Sequence, residues 1–341
     1  MANQVNREIR LKRRPVGMPT EDDFALAETP VPEPRDGEIL VRNIFMSVDP
    51  YMRGRMYDRA SYVQPFQVGQ VLSGGAVGQV VASQNKDFKV GDYVSNFDGW
   101  REWAVSSGLG VGKIDPALAP IQAYIGAFGM PGLTAYAGLL RIGELKDGER
   151  VFVSAASGAV GSIVCQIAKN KGCYVVGSAG SDDKCEWLLK EARDDKAINY
   201  KTCGDLNKAV ADAFPEGIDV YFENVGGKHL EAALNKMRQF GRIALCGMIG
   251  QYNDTTPAPG PSNLIMAVGL SLKLQGFIVS NHFDLLGDFL RDMGKWSKDG
   301  KMKWKETVYE GIENAPKAFI GLFKGANFGK MLVKIGPEKA V

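Results

Sequence analysis

The sequence predicts an α/β protein, with a doubly wound parallel sheet and a second, β-rich domain. Three observations lead there. Strand and helix patterns alternate from about residue 150, as in a parallel sheet with crossover helices. Short apolar stretches between turn signals fill the first 120 or so residues, as in a small barrel or sandwich. Val151-Phe152-Val153-Ser154-Ala155-Ala156-Ser157-Gly158-Ala159-Val160-Gly161-Ser162 is an apolar run that ends in small residues and opens a helix-periodic segment.

Taken in order, the apolar stretches of the first part are 24–26, 39–45, 68–72, 77–81, 93–94 and 103–105. Pro30, Pro32, Pro34 and Asp36-Gly37 interrupt them, and Val90-Gly91-Asp92 reads as a turn entering a strand. Met130-Pro131-Gly132-Leu133-Thr134-Ala135-Tyr136 opens a small-residue helix. The alternating part then predicts strand 150–154, helix 159–171, strand 173–177, helix 182–192 and strand 197–199. It continues with helix 206–214, strand 218–223, helix 228–238, and strands 241–246 and 273–279. A long helix follows with Leu285, Leu286, Phe289, Leu290, Met293 and Trp296 on one face. Strand 307–309, helix 315–323 and strand 330–335 complete the chain. The expected division is a β-rich domain of residues 1–125 and 300–341, and a parallel-sheet domain of residues 126–299.

Composition narrows the class. Forty-one basic residues balance 39 acidic ones, so nothing points to nucleic acid or to a membrane surface. No apolar run reaches the length of a membrane span and no signal-peptide h-region opens the chain, which reads as cytoplasmic. The five cysteines (Cys165, Cys173, Cys185, Cys203 and Cys246) contain no C-x-x-C pair, and the histidines are His229 and His282. A zinc site needs three or four clustered ligands, so neither zinc nor a disulfide framework is predicted.

The 151–162 segment sits where the first strand of the α/β unit meets its first helix, the position of a dinucleotide phosphate site. Ala156 replaces the first glycine of G-x-G-x-x-G, leaving Gly158 and Gly161. Gly161 is followed by Ser162-Ile163, so the Gly-Lys-Ser/Thr of a nucleoside-triphosphate loop is missing. The second strand ends in Gly177-Ser178-Ala179-Gly180-Ser181, with Lys184 one helical turn on. Small residues there leave room for a 2′-phosphate and favour NADP. Asp182 and Asp183 keep an NAD-type carboxylate open, although their place also suits helix capping.

These residues resemble the zinc-independent medium-chain reductases, specifically the alkenal/one double-bond reductases, over nearly the whole chain. The likeness rests on Asp49-Pro50-Tyr51-Met52-Arg53, Gly129 to Tyr136, Ala155-x-x-Gly158-x-x-Gly161, Ala179-Gly180-Ser181-x-x-Lys184 and Asn199-Tyr200-Lys201. Glu223-Asn224-Val225-Gly226-Gly227, Cys246-Gly247-Met248-Ile249, Gln275-Gly276-Phe277-Ile278 and Asn327-Phe328-Gly329-Lys330 continue it. The resemblance implies a Rossmann domain joined to a GroES-like barrel, NADPH as cofactor and a homodimer. It implies that Lys184 and Tyr200, with Gly180 and Ser181, hold the 2′-phosphate end. Gly158, Ala159, Val160 and Gly161 would approach the pyrophosphate, with Asn224 and Cys246 beside the cofactor. Thr134, Phe277 and Asn327 would line its nicotinamide end. Tyr51 and Tyr252 would face a substrate carbonyl, with Tyr62 and Met130 as pocket walls.

The implied reaction is hydride transfer to the β-carbon of an α,β-unsaturated ketone or aldehyde. Tyrosine and the cofactor ribose hydroxyl would stabilise the enolate oxygen. Without zinc ligands, direct carbonyl reduction lacks its usual Lewis acid. An NADPH:quinone reductase on the same fold and a non-catalytic NADPH-binding regulator are the alternatives. Two departures stand out: Glu191-Ala192-Arg193-Asp194-Asp195, after the cofactor lysine, and Gly250, where relatives usually carry serine before Gln251-Tyr252. The proline-rich stretch 251–261 reads as a pocket-covering loop.

Overall fold

The computed structural model describes residues 5–339. The chain divides into two compact units. One runs to Ile125 and takes in Glu306–Asn327 and the residues from Met331 on; the other comprises Gly126–Lys305 and Phe328–Lys330.

The first unit opens with β1 (Val5–Leu11) antiparallel to β2 (Phe24–Pro30). Then come β3 (Ile39–Ser47), the short helix α1 (Met52–Arg55), β4 (Ala76–Ser83), β5 (Tyr93–Asn96), β6 (Trp103–Ser106) and β7 (Gly112–Lys113). The apolar stretch 68–72 forms no strand. Val71 makes only an isolated bridge to Arg10, while Leu72 is buried in the core.

The second unit carries α2 (Met130–Tyr136), β8 (Arg150–Val153), α3 (Gly161–Asn170), β9 (Tyr174–Ala179), α4 (Asp182–Lys190) and β10 (Lys196–Asn199). It continues through α5 (Leu206–Ala213), β11 (Ile218–Glu223), α6 (Lys228–Leu234), β12 (Met237–Leu245), α7 (Met266–Gly269), β13 (Lys273–Gly276) and α8 (Leu286–Lys298). All six strands are parallel, in the order β10-β9-β8-β11-β12-β13. The chain winds outward from β8 to β10, returns to β11 beside β8 and winds outward again. The carboxyl ends of β8 and β11 therefore flank the switch point, where doubly wound sheets bind ligands. Phe152 stacks on Tyr221 at 5.1 Å and meets Phe214 edge-on at 5.9 Å, joining β8 and β11 through the core.

Two boundaries depart from the sequence pattern for one reason. The expected helix 228–238 stops at Leu234 and the next strand starts at Met237 instead of 241. The Ile218 N–H takes the Lys236 carbonyl at 2.8 Å, so sheet pairing captures residues that helical periodicity would have kept. The strand then bends at Phe240, whose φ of 61° lies in the left-handed region, and its register against β11 slips between Ile218 and Val220.

Back in the first unit, β14 (Glu306–Glu310), α9 (Ala315–Phe323) and β15 (Lys330–Lys334) complete a seven-stranded sheet, β14-β15-β3-β4-β5-β7, with β6 also on β3. One edge of β3 changes partner along its length: residues 39–42 face β6 and residues 45–47 face β15. At the handover the buried Asn43 amide donates to the Asp98 and Arg101 carbonyls, both at 3.0 Å. It thereby satisfies backbone that neither strand reaches. Trp100 stacks on Phe24, and Phe319 of α9 packs edge-on against both.

Candidate active site

The turn after β8 is defined by close backbone packing. Ala155 adopts φ 47°, an uncommon conformation for a residue with a side chain. The Ala156 N–H donates to the Ser178 carbonyl at 2.9 Å, tying the turn to β9. A Cβ on Gly161 would fall 2.4 Å from the Ala155 carbonyl oxygen, so only glycine lets α3 start here. Ala156 is tolerated in place of the usual first glycine because Gly177 faces it. A Cβ on Gly177 would lie 2.7 Å from that of Ala156. The absent side chain at Gly177 leaves the space that the Ala156 methyl occupies. Helix α3 begins at Gly161, not at 159, so Ala159 and Val160 belong to the turn itself.

Past β9, the two aspartates act within the first turn of α4. Asp182 accepts the Asn199 amide at 2.6 Å, and Asp183 accepts the Ser181 hydroxyl. Lys184 is half-buried; burial lowers its pKa, Asp183 opposes that, and Lys201 lowers it further. Lys201 is therefore a second cation beside Lys184, and it has no place in the sequence-based site. Its only sequence signal is that it follows Tyr200. The Tyr200 hydroxyl lies against the Gly180 backbone, and its ring meets His229 edge-on at 5.1 Å. Burial pushes His229 down to about 4, so this support is neutral at physiological pH.

At the end of β11 the chain builds a polar knot. The Ser154 hydroxyl donates to Glu223 Oε1 at 3.0 Å and accepts the Asn224 N–H at 2.8 Å. The Asn224 amide donates to the Ser154 carbonyl at 2.7 Å. Ser154 and Glu223 stand in the stretches 151–162 and 223–227 but have no role in the sequence-based site, because a serine or glutamate in a strand pattern carries no mark of its burial. Cys246 follows β12, and its N–H bonds the Glu223 carbonyl at 3.0 Å. Burial pushes its thiol up to about 12, so it is not a nucleophile. Tyr252 folds back over Gly247, and its oxygen receives the Met248 N–H at 3.3 Å. Phe277 follows β13 and packs edge-on against Phe222. Met130 and Thr134 share one turn of α2, where the Thr134 hydroxyl donates to the Met130 carbonyl at 2.7 Å.

Tyr51, Tyr62 and Asn327 belong to the first unit. Tyr51 precedes α1 and Arg55 ends it, so the two side chains share one helical face. Burial, and then the Asp49 carboxylate, push the Tyr51 phenol above its ordinary range, while Arg55 opposes the shift. Tyr51 is therefore a hydrogen-bond donor and not a base at physiological pH. Arg55 is fixed by the Gln64 carbonyl at 3.0 Å, the Ser73 hydroxyl at 3.0 Å and the Phe66 ring at 3.9 Å. Tyr62 is 60% exposed, and Asn327 is half-buried.

Residues 7–114 match the family described as the N-terminal domain of oxidoreductase, and residues 159–292 match zinc-binding dehydrogenase. The chain is 42% identical to the NADPH-dependent curcumin reductase of Escherichia coli over 98% of each chain. It is 46% identical to prostaglandin reductase 1 of Bos taurus, over 95% of this chain and 97% of that one. The crystal structure of CurA from Vibrio vulnificus in complex with NADPH superposes with a TM-score of 0.93, at 42% identity, covering 97% of this chain and 99% of that one. The chain belongs to the medium-chain dehydrogenase/reductase family, among its alkenal/one double-bond reductases. Like its relatives in this family, it is an NADP-dependent oxidoreductase. Among the described residues, no three or more His, Cys, Asp or Glu side chains are grouped to hold a metal ion. For a medium-chain reductase that uses NADPH, the residues present fit the cofactor. A turn of small residues closed by Gly158 and Gly161 precedes α3, and Lys184, Tyr200 and Lys201 stand just beyond β9 and β10, where a 2′-phosphate needs cations.

Proposed function

We propose that this reductase saturates the C=C bond of α,β-unsaturated ketones and aldehydes. The observation that carries the reading is the assembly at the carboxyl ends of β11 and β12. There the turn bearing Asn224 and the segment bearing Tyr252 form one hydrogen-bonded unit beside the switch point. Relatives named as curcumin, 2-alkenal and prostaglandin reductases support it.

Bound NADPH supplies a hydride to the β-carbon of the conjugated carbonyl. The turn at Gly158 to Gly161 would cradle its pyrophosphate, Lys184 and Tyr200 with Gly180 and Ser181 would hold its 2′-phosphate end, and Asn224, Cys246, Thr134, Phe277 and Asn327 would line its remaining length. The Tyr252 hydroxyl donates to the substrate carbonyl oxygen, where negative charge develops as the bond saturates. Tyr51, held protonated, is the second donor assigned to that oxygen. Met130 and Tyr62 bound the substrate. The α-carbon takes its proton from tyrosine or water. An NADPH-consumption screen over unsaturated aldehydes, ketones and quinones, with product identification, tests the reaction. Saturated ketone or aldehyde products support it, while turnover of quinones alone overturns it. Tyr252→Phe should lower kcat/KM by about 100-fold, the effect of removing one donor to a developing oxyanion; an unchanged value removes Tyr252 from the mechanism.

We infer a homodimer as well. β13 is an edge strand of its sheet, and the preceding Leu264, Ile265 and Val268 are 48, 71 and 74% exposed. An open edge with apolar neighbours favours pairing with a second copy. Light scattering that gives the monomer mass at micromolar concentration refutes this.

A further inference from the structure

Glu223 ends the strand beside the switch point, and nothing in the proposed reaction uses it. Its side chain is fully buried. Oε1 accepts the Ser154 hydroxyl at 3.0 Å and the Val225 N–H at 2.6 Å, while the enclosed Oε2 has no partner of normal hydrogen-bond geometry. The groups that act on it most are the Val225 and Gly226 amides, the Tyr221 phenol and the Ser154 hydroxyl, with the Cys246 thiol nearby, and none of them is basic. A buried carboxylate without a cation is costly, and burial accordingly pushes this carboxyl up toward its neutral form.

We infer that Glu223 is a positioning residue, setting the turn that carries Asn224 and, through that turn, the segment that carries Tyr252. The connections are continuous. Glu223 Oε1 and the Ser154 hydroxyl bind the Val225 and Asn224 N–H groups. The carbonyls of those two residues then accept Gly250 and Ile249 N–H, each at 3.0 Å. The Glu223 carbonyl accepts Cys246 and Gly247 N–H at 3.0 and 3.1 Å. Residues 246–250 thus hang from residues 223–225, and the Met248 N–H meets the Tyr252 oxygen at the far end. The proposal rests on the reading that Asn224 serves the cofactor and Tyr252 the substrate.

Glutamine keeps the acceptor and shape of a neutral acid, whereas leucine fills the space and leaves two buried donors unpaired. The test uses full-length Glu223→Gln, Glu223→Leu and Tyr252→Phe. It follows thermal unfolding, NADPH affinity by fluorescence titration without substrate, and kcat and KM on a 2-alkenal. Glu223→Gln should stay within about threefold of the parent in NADPH affinity and kcat. Glu223→Leu, still folded, should lose about tenfold in each, with substrate KM moved less. If the leucine variant does not fold, Ser154→Ala, which removes only the bridging hydroxyl, carries the same expectation. Parental affinity and kcat in the folded leucine or Ser154→Ala protein overturns the inference. So does a glutamine variant as impaired as the leucine one. Unchanged turnover in Tyr252→Phe overturns the Tyr252 assignment alone, and NADPH affinity then decides Glu223.

Discussion

Alanine at Gly161 probes the proposed cofactor turn most directly. The added Cβ would lie 2.4 Å from the Ala155 oxygen and 2.8 Å from the Ala156 Cα. Favourable carbon–oxygen approaches begin at about 3.3 Å, so the turn must open by about 1 Å. Both obstructing atoms are backbone and cannot rotate aside. Ala155 already stands at φ 47°, where a residue with a side chain has little latitude. Overpacking against rigid backbone costs about 1–3 kcal/mol of stability. The same displacement moves the backbone of residues 158–160 away from the phosphate position. A loss of about 1.4–2.8 kcal/mol there is a ten- to hundredfold weaker NADPH affinity. Fluorescence titration with NADPH gives the affinity, and urea unfolding gives the stability. A folded Gly161→Ala protein that binds NADPH as the parent does refutes the assignment of this turn to the pyrophosphate.

Lys184→Ala should reduce the preference for NADPH over NADH by about tenfold, since a hydrogen bond between charged groups is at stake. Lys201→Ala should reduce it by about threefold, and by less at high salt because Lys201 is exposed. Titration with both cofactors checks each, and an unaltered preference removes that lysine from the 2′-phosphate site. Asp194 predicts a pH effect on stability: burial pushes its carboxyl from 3.8 up to about 8, and neither oxygen has a partner of normal hydrogen-bond geometry. Between those pH values the unfolded chain releases the proton and the folded chain keeps it. Stability therefore falls as pH rises through that window, by at most about 6 kcal/mol. Asp194→Asn should lose that slope in urea unfolding between about pH 6 and 8.5; a slope equal to the parent's assigns the effect elsewhere.

Much of the second unit was legible because its signals are local. Alternation of apolar runs with helix-periodic segments located all six parallel strands, and Gly158 and Gly161 marked the turn after β8. The stretch 68–72 misled because apolarity reports burial and not pairing: Leu72 is buried without a strand. The sequence leaves Asp182 and Asp183 open between a cofactor carboxylate and helix capping, because their partners, Asn199 and Ser181, are set by the folded arrangement of β9, α4 and β10.

What the sequence by itself determined is therefore the class of fold, the place of the glycine turn after β8 and, through many short motifs in order, the family. Those depend on periodicity, chirality and residue identity at fixed spacing, which act over a few residues at a time. What only the tertiary structure decided are relations between strands that are neighbours in space. Gly177 makes room for Ala156, Lys201 stands beside Lys184, and Glu223 reaches Ser154 across 69 residues of chain. Burial and strand register create these relations, and both emerge only when the sheet has assembled.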